Sequence, residues 1–308
     1  MSWGRRHLAI LAGPEINALY WSTCTSGFVK KYIITALILA LSPVASTKVS
    51  AIAWPDPTAS HLAAVVSIHS NSPAKLRNMF CTGTLVADRW VLTAAHCLEK
   101  TNVKSLVISV NFGTKNQLDY KVLKYFIPSK ASLDGSWLTA NNGYDISLLK
   151  LATQVTNVKP IRITSIKNIR KFAGKVTLYG FGLNESEHLL GSMGARDVVF
   201  LPERPVYDLF PESANPRNIA ALASRQYETS ECYPDSTEPL TCQRMLIKSI
   251  DGAACAGDSG GPIIGNLEGN LHILAIVSYG TDCIEPVPSI YVKMNSFAQW
   301  AKTIILSN

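Results

Sequence analysis

Three short segments of the sequence carry residue types that together can cleave an acyl bond. Residues 257–262 read Gly-Asp-Ser-Gly-Gly-Pro, and residues 92–97 read Leu-Thr-Ala-Ala-His-Cys. A serine hydroxyl is a weak nucleophile at neutral pH and needs a base within hydrogen-bond reach, for which an imidazole is best suited. Ser259 is therefore the candidate nucleophile and His96 its candidate general base.

The third segment, residues 143–149, reads Gly-Tyr-Asp-Ile-Ser-Leu-Leu and supplies an acid. Asp145 enters an apolar stretch, where an unpaired charge would be costly. We expect His96 to be its partner, because a buried carboxylate holds an imidazole in one tautomer and stabilises its charged form.

The glycines around Ser259 have a separate chemical reason. A carbonyl that is attacked by the serine becomes an oxyanion, which backbone N–H groups can stabilise if the turn admits the substrate closely. We expect Gly257 and Ser259 to supply those two N–H groups.

The three segments, in the chain order His, Asp, Ser, resemble the trypsin- and chymotrypsin-like serine proteases, the S1-type family with a double β-barrel. The resemblance runs from about Val65 to the C-terminal helix. It implies an all-β, chymotrypsin-like fold of two antiparallel six-stranded barrels with the site in the cleft between them. It also implies a serine-type endopeptidase that forms an acyl-enzyme on Ser259 and needs no cofactor. The implied partners are protein or peptide substrates, a protein inhibitor or an activating protease.

The resemblance extends to further positions, one by one. Residues 180–182 (Gly-Phe-Gly) look like the family's turn that opens the second barrel, and residues 278–280 (Ser278, Tyr279, Gly280) look like the strand along which substrate backbone pairs. By the same resemblance, two disulfides are expected. They are Cys81 with Cys97, beside the catalytic histidine, and Cys255 with Cys283, across the specificity pocket. Cys232 and Cys242 match the family's third disulfide only loosely, and their pairing is left open.

The predicted specificity pocket departs from that of trypsin. Trypsin-like members carry an Asp six residues before the nucleophile, where this chain has Ala253. With Ala253 and Ala254 at the floor and Gly280 and Ser289 on the walls, we expect an uncharged P1 side chain rather than Lys or Arg. Asp251 could replace the missing acid only if the loop were rebuilt.

Activation is the second departure. In the family, a new N-terminus inserts beside the Asp that precedes the nucleophile, which is Asp258 here, and the chain lacks the usual Ile-Val-Gly-Gly tetrapeptide. Cleavage after Lys48 would expose Val49 for this zymogen-like activation step. The alternatives are a chain that orders its site without the step and a chain that is cut elsewhere.

The N-terminal residues 1–46 are interpreted as an extension with a signal peptide. Lys30 and Lys31 precede the apolar run 32–41, and Val44 and Ser46 are small residues of the kind that a signal peptidase recognises. A membrane anchor is the alternative, but the run is shorter than the roughly 20 residues that span a bilayer. Of the seven cysteines, only Cys24 lies in this segment, and an even number remains for disulfides. We therefore expect an extracellular or periplasmic protein without a stable membrane anchor.

The remaining chain, 47–308, is predicted to be the peptidase domain. Its short apolar runs, separated by Gly, Asn, Asp and Pro, favour antiparallel strands. They are 64–68, 83–92, 106–112, 145–151, 174–179, 272–278 and 289–292. We place the first barrel at about 62–165, the second at about 172–294, and a helix at about 296–306, where Phe297, Trp300, Ala301 and Ile304 share one face. The proline-rich stretch 183–240 is interpreted mainly as long surface loops.

Other classes of function are disfavoured by the composition. The net charge of +7 comes from scattered single residues and not from the basic runs that follow a phosphate backbone, so nucleic acid is not an expected partner. No cysteine pair has the spacing that zinc prefers, and Asp119 is the only acid between Val107 and Tyr125, too little for a calcium loop. Two alternatives remain: a catalytically silent relative that uses the barrels for binding, and a membrane-tethered protein.

Overall fold

The computed structural model describes residues 61–70, 79–99, 101–134, 143–167, 169–172, 176–183, 193–200, 217–223, 254–280 and 289–308. Within these residues the chain is mostly β-structure with one α-helix of ten residues at the end. The leader, Val49, Ala253, Cys232, Cys242 and Cys283 lie outside the described residues, so the predictions made for them stay predictions.

Six antiparallel strands form a closed barrel in the order β1-β2-β3-β6-β5-β4. Strands β3 and β4 are buried along their whole length and contribute apolar side chains to its interior. Strand β5 is largely exposed, and Val122 is its one buried residue. The strands are β1 (Val65–Ser70), β2 (Met79–Ala87), β3 (Trp90–Thr93), β4 (Leu106–Val110), β5 (Leu118–Phe126) and β6 (Ser147–Leu151).

A second ring of six antiparallel strands follows in the order β11-β8-β9-β10-β13-β12, and it closes because β11 also pairs with β12. The short β7 adds to β12 in parallel. The strands are β7 (Arg162–Ile163), β8 (Val176–Gly180), β9 (Gly194–Phe200), β10 (Asn218–Ala223), β11 (Pro262–Leu267), β12 (Asn270–Tyr279) and β13 (Ser289–Lys293). The predicted all-β fold with two six-stranded barrels is confirmed.

The terminal helix, α1 (Ala298–Ser307), follows the predicted apolar face. Phe297 and Ala301 are buried, and Trp300 and Ile304 pack against the same core. The ring of Phe297 also meets the ring of Tyr144 edge-on at 5.9 Å, which places the start of the helix next to the segment that carries Asp145.

Two expectations about strands need correction. The run 83–92 is not one strand but parts of β2 and β3, which are joined by a turn at residues 88 and 89. The guanidinium of Arg89 stabilises this turn by donating hydrogen bonds to the carbonyls of Leu151 and Ala152. The described part of the stretch 183–240 contains two strands, β9 and β10, where mainly surface loops were expected. Its prolines precede or follow these strands rather than interrupt them, which leaves the ladder N–H groups intact.

Candidate active site

His96 lies just beyond the end of β3, at the start of a short 3₁₀ helix, His96–Leu98. The next residue, Cys97, forms a disulfide with Cys81 of β2, with the two Cα atoms 6.2 Å apart. This bond ties the segment that carries the imidazole to the neighbouring strand. The predicted pairing of Cys81 with Cys97 is confirmed.

Asp145 precedes β6 in the same barrel and is fully buried. Its Oδ2 lies 2.7 Å from His96 Nδ1, and its Oδ1 accepts the backbone N–H of His96 at 2.9 Å. These two contacts fix both the orientation of the imidazole and the backbone that carries it. Sequence analysis expected His96 to be the partner of this buried acid, and the two side chains are in contact.

A third hydrogen bond reaches the carboxylate from the second barrel. The hydroxyl of Ser278, in β12, donates to Asp145 Oδ2 at 2.6 Å. Sequence analysis placed Ser278 on the substrate-binding strand and missed this contact. The available signal was a hydroxyl next to a run of buried apolar residues in β12, where a buried hydroxyl needs a partner.

The two groups shift each other's pKa. Burial alone would lower the pKa of His96, but the charge of Asp145 and its hydrogen bond outweigh burial, and the pKa lies above its ordinary value of 6.5. Burial alone would raise the pKa of Asp145, but the charge of His96 and the hydrogen bonds from His96 and Ser278 hold it below its ordinary value. At neutral pH the carboxylate is therefore ionised and able to hold the imidazole tautomer that exposes a basic Nε2.

These shifts predict the acid limb of the pH profile. A general base must be neutral to accept a proton, so kcat/KM should fall as the pH drops through the pKa of His96. Because that pKa is raised, we expect the midpoint above 6.5. The measurement is kcat/KM against pH for a peptide substrate without ionisable side chains. A midpoint below 6.5 would mean that burial has a larger effect on the pKa of His96 than Asp145 has.

Ser259 lies at the centre of a tight turn, residues 257–261. Gly257 and Gly260 adopt φ angles of 95° and 78°, which only glycine adopts readily. The turn packs on the strand end that leads to His96: a Cβ added to Gly260 would lie 2.1 Å from Thr93 Oγ1. The Ser259 side chain is half-buried, and its carbonyl accepts the N–H of Thr82 at 2.8 Å.

The turn thus lies close to the segment that carries His96: the Ser259 carbonyl oxygen is 3.8 Å from Cys97 Sγ. Within the described residues, His96 Nε2 and Ser259 Oγ are not hydrogen-bonded to each other. This bond is commonly long in free enzymes and tightens when substrate binds.

Asp258 is fully buried, and its carboxylate supports the turn by accepting backbone hydrogen bonds. One carboxylate oxygen accepts the N–H of Gly182 at 2.8 Å and the other accepts the N–H of Cys255 at 2.8 Å. Gly180 leaves room for this carboxylate, since a Cβ there would lie 2.0 Å from Asp258 Oδ1. The expected bond between Asp258 and a new N-terminus at Val49 stays a prediction.

The described residues of the expected specificity pocket lie next to each other. The buried Ala254 donates its N–H to Ser289 Oγ at 3.4 Å, and a Cβ added to Gly280 would lie 3.0 Å from that same oxygen. Tyr279 is half-buried and pairs with Ile290 at the end of β12. Cys255, the expected partner of Cys283, is buried beside Ala254.

Among the described residues, Cys81, His96 and Cys97 bring potential metal-ligand atoms together, but the two sulfurs are joined in the disulfide and cannot act as thiolate ligands. In the described part of the chain, no helix has the length and apolar character needed to cross a membrane.

Comparisons with known proteins agree with this geometry. The family model described as Trypsin matches residues 55–301. Trypsin I-P1 of Gallus gallus is 29% identical over 236 residues, which cover 74% of this chain and 81% of that trypsin. Thrombin-like enzyme halystase of Gloydius blomhoffii is 29% identical over 239 residues, which cover 75% of this chain and 87% of halystase.

Among solved structures, neuropsin, a serine protease expressed in the limbic system of mouse brain, superposes with a TM-score of 0.59. The alignment covers 79% of this chain and 94% of neuropsin at 20% identity, and it shows a shared fold. Because the family model spans most of the sequence and includes all three segments that carry His96, Asp145 and Ser259, the chain belongs to the trypsin family of serine proteases.

Proposed function

We propose that the chain is a secreted serine endopeptidase in which Ser259 is the nucleophile, His96 the general base and Asp145 the group that orients the base. One observation carries the proposal: a fully buried carboxylate lies 2.7 Å from His96 Nδ1, and the serine turn packs against the strand that leads to this histidine. Members of the trypsin family act on proteins and peptides, and these are the proposed substrates.

The proposed reaction begins with proton transfer. Nε2 of His96 accepts the proton of Ser259 Oγ as this oxygen attacks the substrate carbonyl, while the Nδ1–H of His96 remains bonded to Asp145. The N–H groups of Gly257 and Ser259 stabilise the oxyanion that forms. His96 then donates its proton to the leaving amine. In the second half of the reaction, His96 accepts a proton from water as the water attacks the acyl carbonyl, and then returns this proton to Ser259 Oγ.

Export is supported by the disulfide. Disulfides persist in oxidising compartments and are rare in the reducing cytosol, and Cys81–Cys97 lies beside the proposed base. The apolar run 32–41 with its preceding lysines supplies the expected signal.

The function is tested by expressing the full chain in secreting cells and incubating the protein from the medium with a peptide library. We expect cleavage products from the wild type and none from a Ser259→Ala protein purified in the same way. Secreted wild-type protein that folds but cleaves nothing, under conditions that activate other trypsin-family zymogens, would favour the silent binding protein. Protein that is retained in the detergent fraction of cells would favour the membrane tether.

We further propose a preference for an uncharged P1 side chain. The described groups that face each other at the pocket, Ala254, Gly280 and Ser289, carry no charge. The proposal also relies on Ala253, where trypsin has an acid.

Gly280→Val tests this pocket. Because a Cβ at residue 280 already lies 3.0 Å from Ser289 Oγ, a valine there would fill the space between the walls. We expect kcat/KM for a substrate with P1 Phe to fall roughly 10- to 200-fold, while a substrate with P1 Ala retains most of its rate. The measurement is kcat/KM for the two substrates with the wild type and the variant. Equal losses on both substrates would show that Gly280 does not line the P1 pocket.

A further inference from the structure

Thr82, in β2, connects both barrels with the serine turn. It is fully buried and follows Cys81, whose disulfide fixes the His96 segment. Its backbone N–H donates to the carbonyl of Ser259 at 2.8 Å, and its own carbonyl accepts the hydroxyl of Thr93 at 2.7 Å. These backbone contacts place the Thr82 side chain directly beside the turn.

The hydroxyl of Thr82 makes two directed hydrogen bonds. It accepts the backbone N–H of Phe181 at 3.0 Å and donates its proton to the carbonyl of Gly257 at 2.9 Å. A hydroxyl has a single proton, and because Phe181 supplies a donor, that proton is directed to Gly257. The hydroxyl is therefore a specific bridge from the end of β8, in the second barrel, to the turn.

Gly257 needs such a constraint more than another residue would. It has a φ of 95° and no side chain, so its neighbouring peptide groups can rotate easily. Its N–H is one of the two proposed oxyanion donors, and stabilisation of an oxyanion depends on donors that are already aimed before the reaction. The carbonyl that the Thr82 hydroxyl holds belongs to the peptide that follows Gly257, so the bond fixes one side of this residue and limits the rotation of the preceding peptide, which carries the Gly257 N–H. The bond from the Thr82 N–H to the Ser259 carbonyl restrains the backbone of Ser259 in the same way.

We propose that Thr82 is a positioning residue for catalysis, whose hydroxyl fixes the Gly257 carbonyl and thereby restrains the backbone of Gly257 in the conformation that aims its N–H at the oxyanion. This inference rests on the proposed endopeptidase function. It predicts that loss of the hydroxyl weakens the transition state more than the binding of substrate, which a residue that only packs between the barrels would not do.

The test compares Thr82→Val, which removes the hydroxyl at nearly constant volume, with Thr82→Ser, which retains it. Thr84→Val is the matched control, because Thr84 lies on the same strand and its buried hydroxyl makes no hydrogen bond among the described residues. Active sites are first titrated with a fluorophosphonate, so that kcat refers only to folded, competent enzyme. The affinity for a peptide boronic acid, which forms a tetrahedral adduct with the serine, is measured in parallel.

For Thr82→Val we expect kcat per titrated site to fall roughly 10-fold or more, with KM changed less than about twofold, and boronate affinity to fall by a similar factor to kcat. Thr82→Ser should remain within about threefold of the wild type, and Thr84→Val should match it. If Thr82→Val does not fold, Thr82→Ala provides the same comparison, because it also removes the hydroxyl and leaves a smaller side chain.

The inference is overturned if the hydroxyl-free variant keeps its kcat per site, if only KM rises, or if Thr82→Ser is as impaired as Thr82→Val. These results differ from failure of the proposed function, because a wild-type protein that neither cleaves peptides nor reacts with the fluorophosphonate would refute the endopeptidase itself.

Discussion

Asp145→Asn is expected to lower kcat about 10⁴-fold while leaving the protein folded. The magnitude is that of the same substitution in other members of the family. An asparagine oxygen can still accept the backbone N–H of His96, so the local fold keeps its hydrogen bond. Its amide, however, presents an N–H where the carboxylate accepted from Nδ1, which leaves the imidazole proton on Nε2. A protonated Nε2 cannot accept the proton of Ser259.

The measurement is kcat on a peptide substrate with circular dichroism as the check on folding. Asp88→Asn is the matched control. Asp88 is an exposed acid of the first barrel whose carboxylate accepts a hydrogen bond from the side chain of Gln154, and loss of its charge should leave kcat unchanged. A folded Asp145→Asn protein with a rate within tenfold of the wild type would contradict the assignment of the triad.

Ser259→Ala is expected to lower kcat by about 10⁶, the scale of loss when the nucleophile of another serine protease is removed. The fold should persist, because the bonds that hold the turn involve backbone groups of residues 259–261 and not the serine hydroxyl. The residual rate would come from the oxyanion donors and substrate binding.

This loss is measured by single-turnover cleavage over long incubation, with thermal unfolding as the check on stability. Ser105→Ala, at the end of a surface turn in the first barrel, is the control and should retain full activity. A Ser259→Ala protein that retains more than about a thousandth of the wild-type kcat would mean that another group performs the attack.

The sequence alone points to the three segments of the proposed site, and the structure brings two of the predicted residues, His96 and Asp145, into direct contact. Each of the three segments has a local chemical signature: a serine between glycines, a histidine at the end of an apolar strand, and an acid that enters a buried strand. Such signatures can be recognised from the sequence alone because they reflect what nucleophilic catalysis needs at each position. The Cys81–Cys97 pairing followed only from the family resemblance, and the structure confirms it.

The supporting contacts could not be predicted because they join residues distant in the sequence. Thr82 meets Gly257 across 175 positions, and Ser278 meets Asp145 across 133. No local pattern distinguishes these hydroxyls from others in buried strands. Strands such as β5 were missed for a different reason: its side chains are mostly exposed, so the strand lacks the apolar run used to recognise the others.

The central claim is that His96 and Asp145 activate the hydroxyl of Ser259. The most direct measurement is the reaction of the secreted protein with a fluorophosphonate, followed by mass spectrometry of its peptides, because this reagent reports an activated serine without requiring a known substrate. We expect one adduct per chain, on Ser259, formed rapidly by the wild type and far more slowly by Asp145→Asn. No adduct on folded, processed protein, or an adduct on a different residue, would contradict the account.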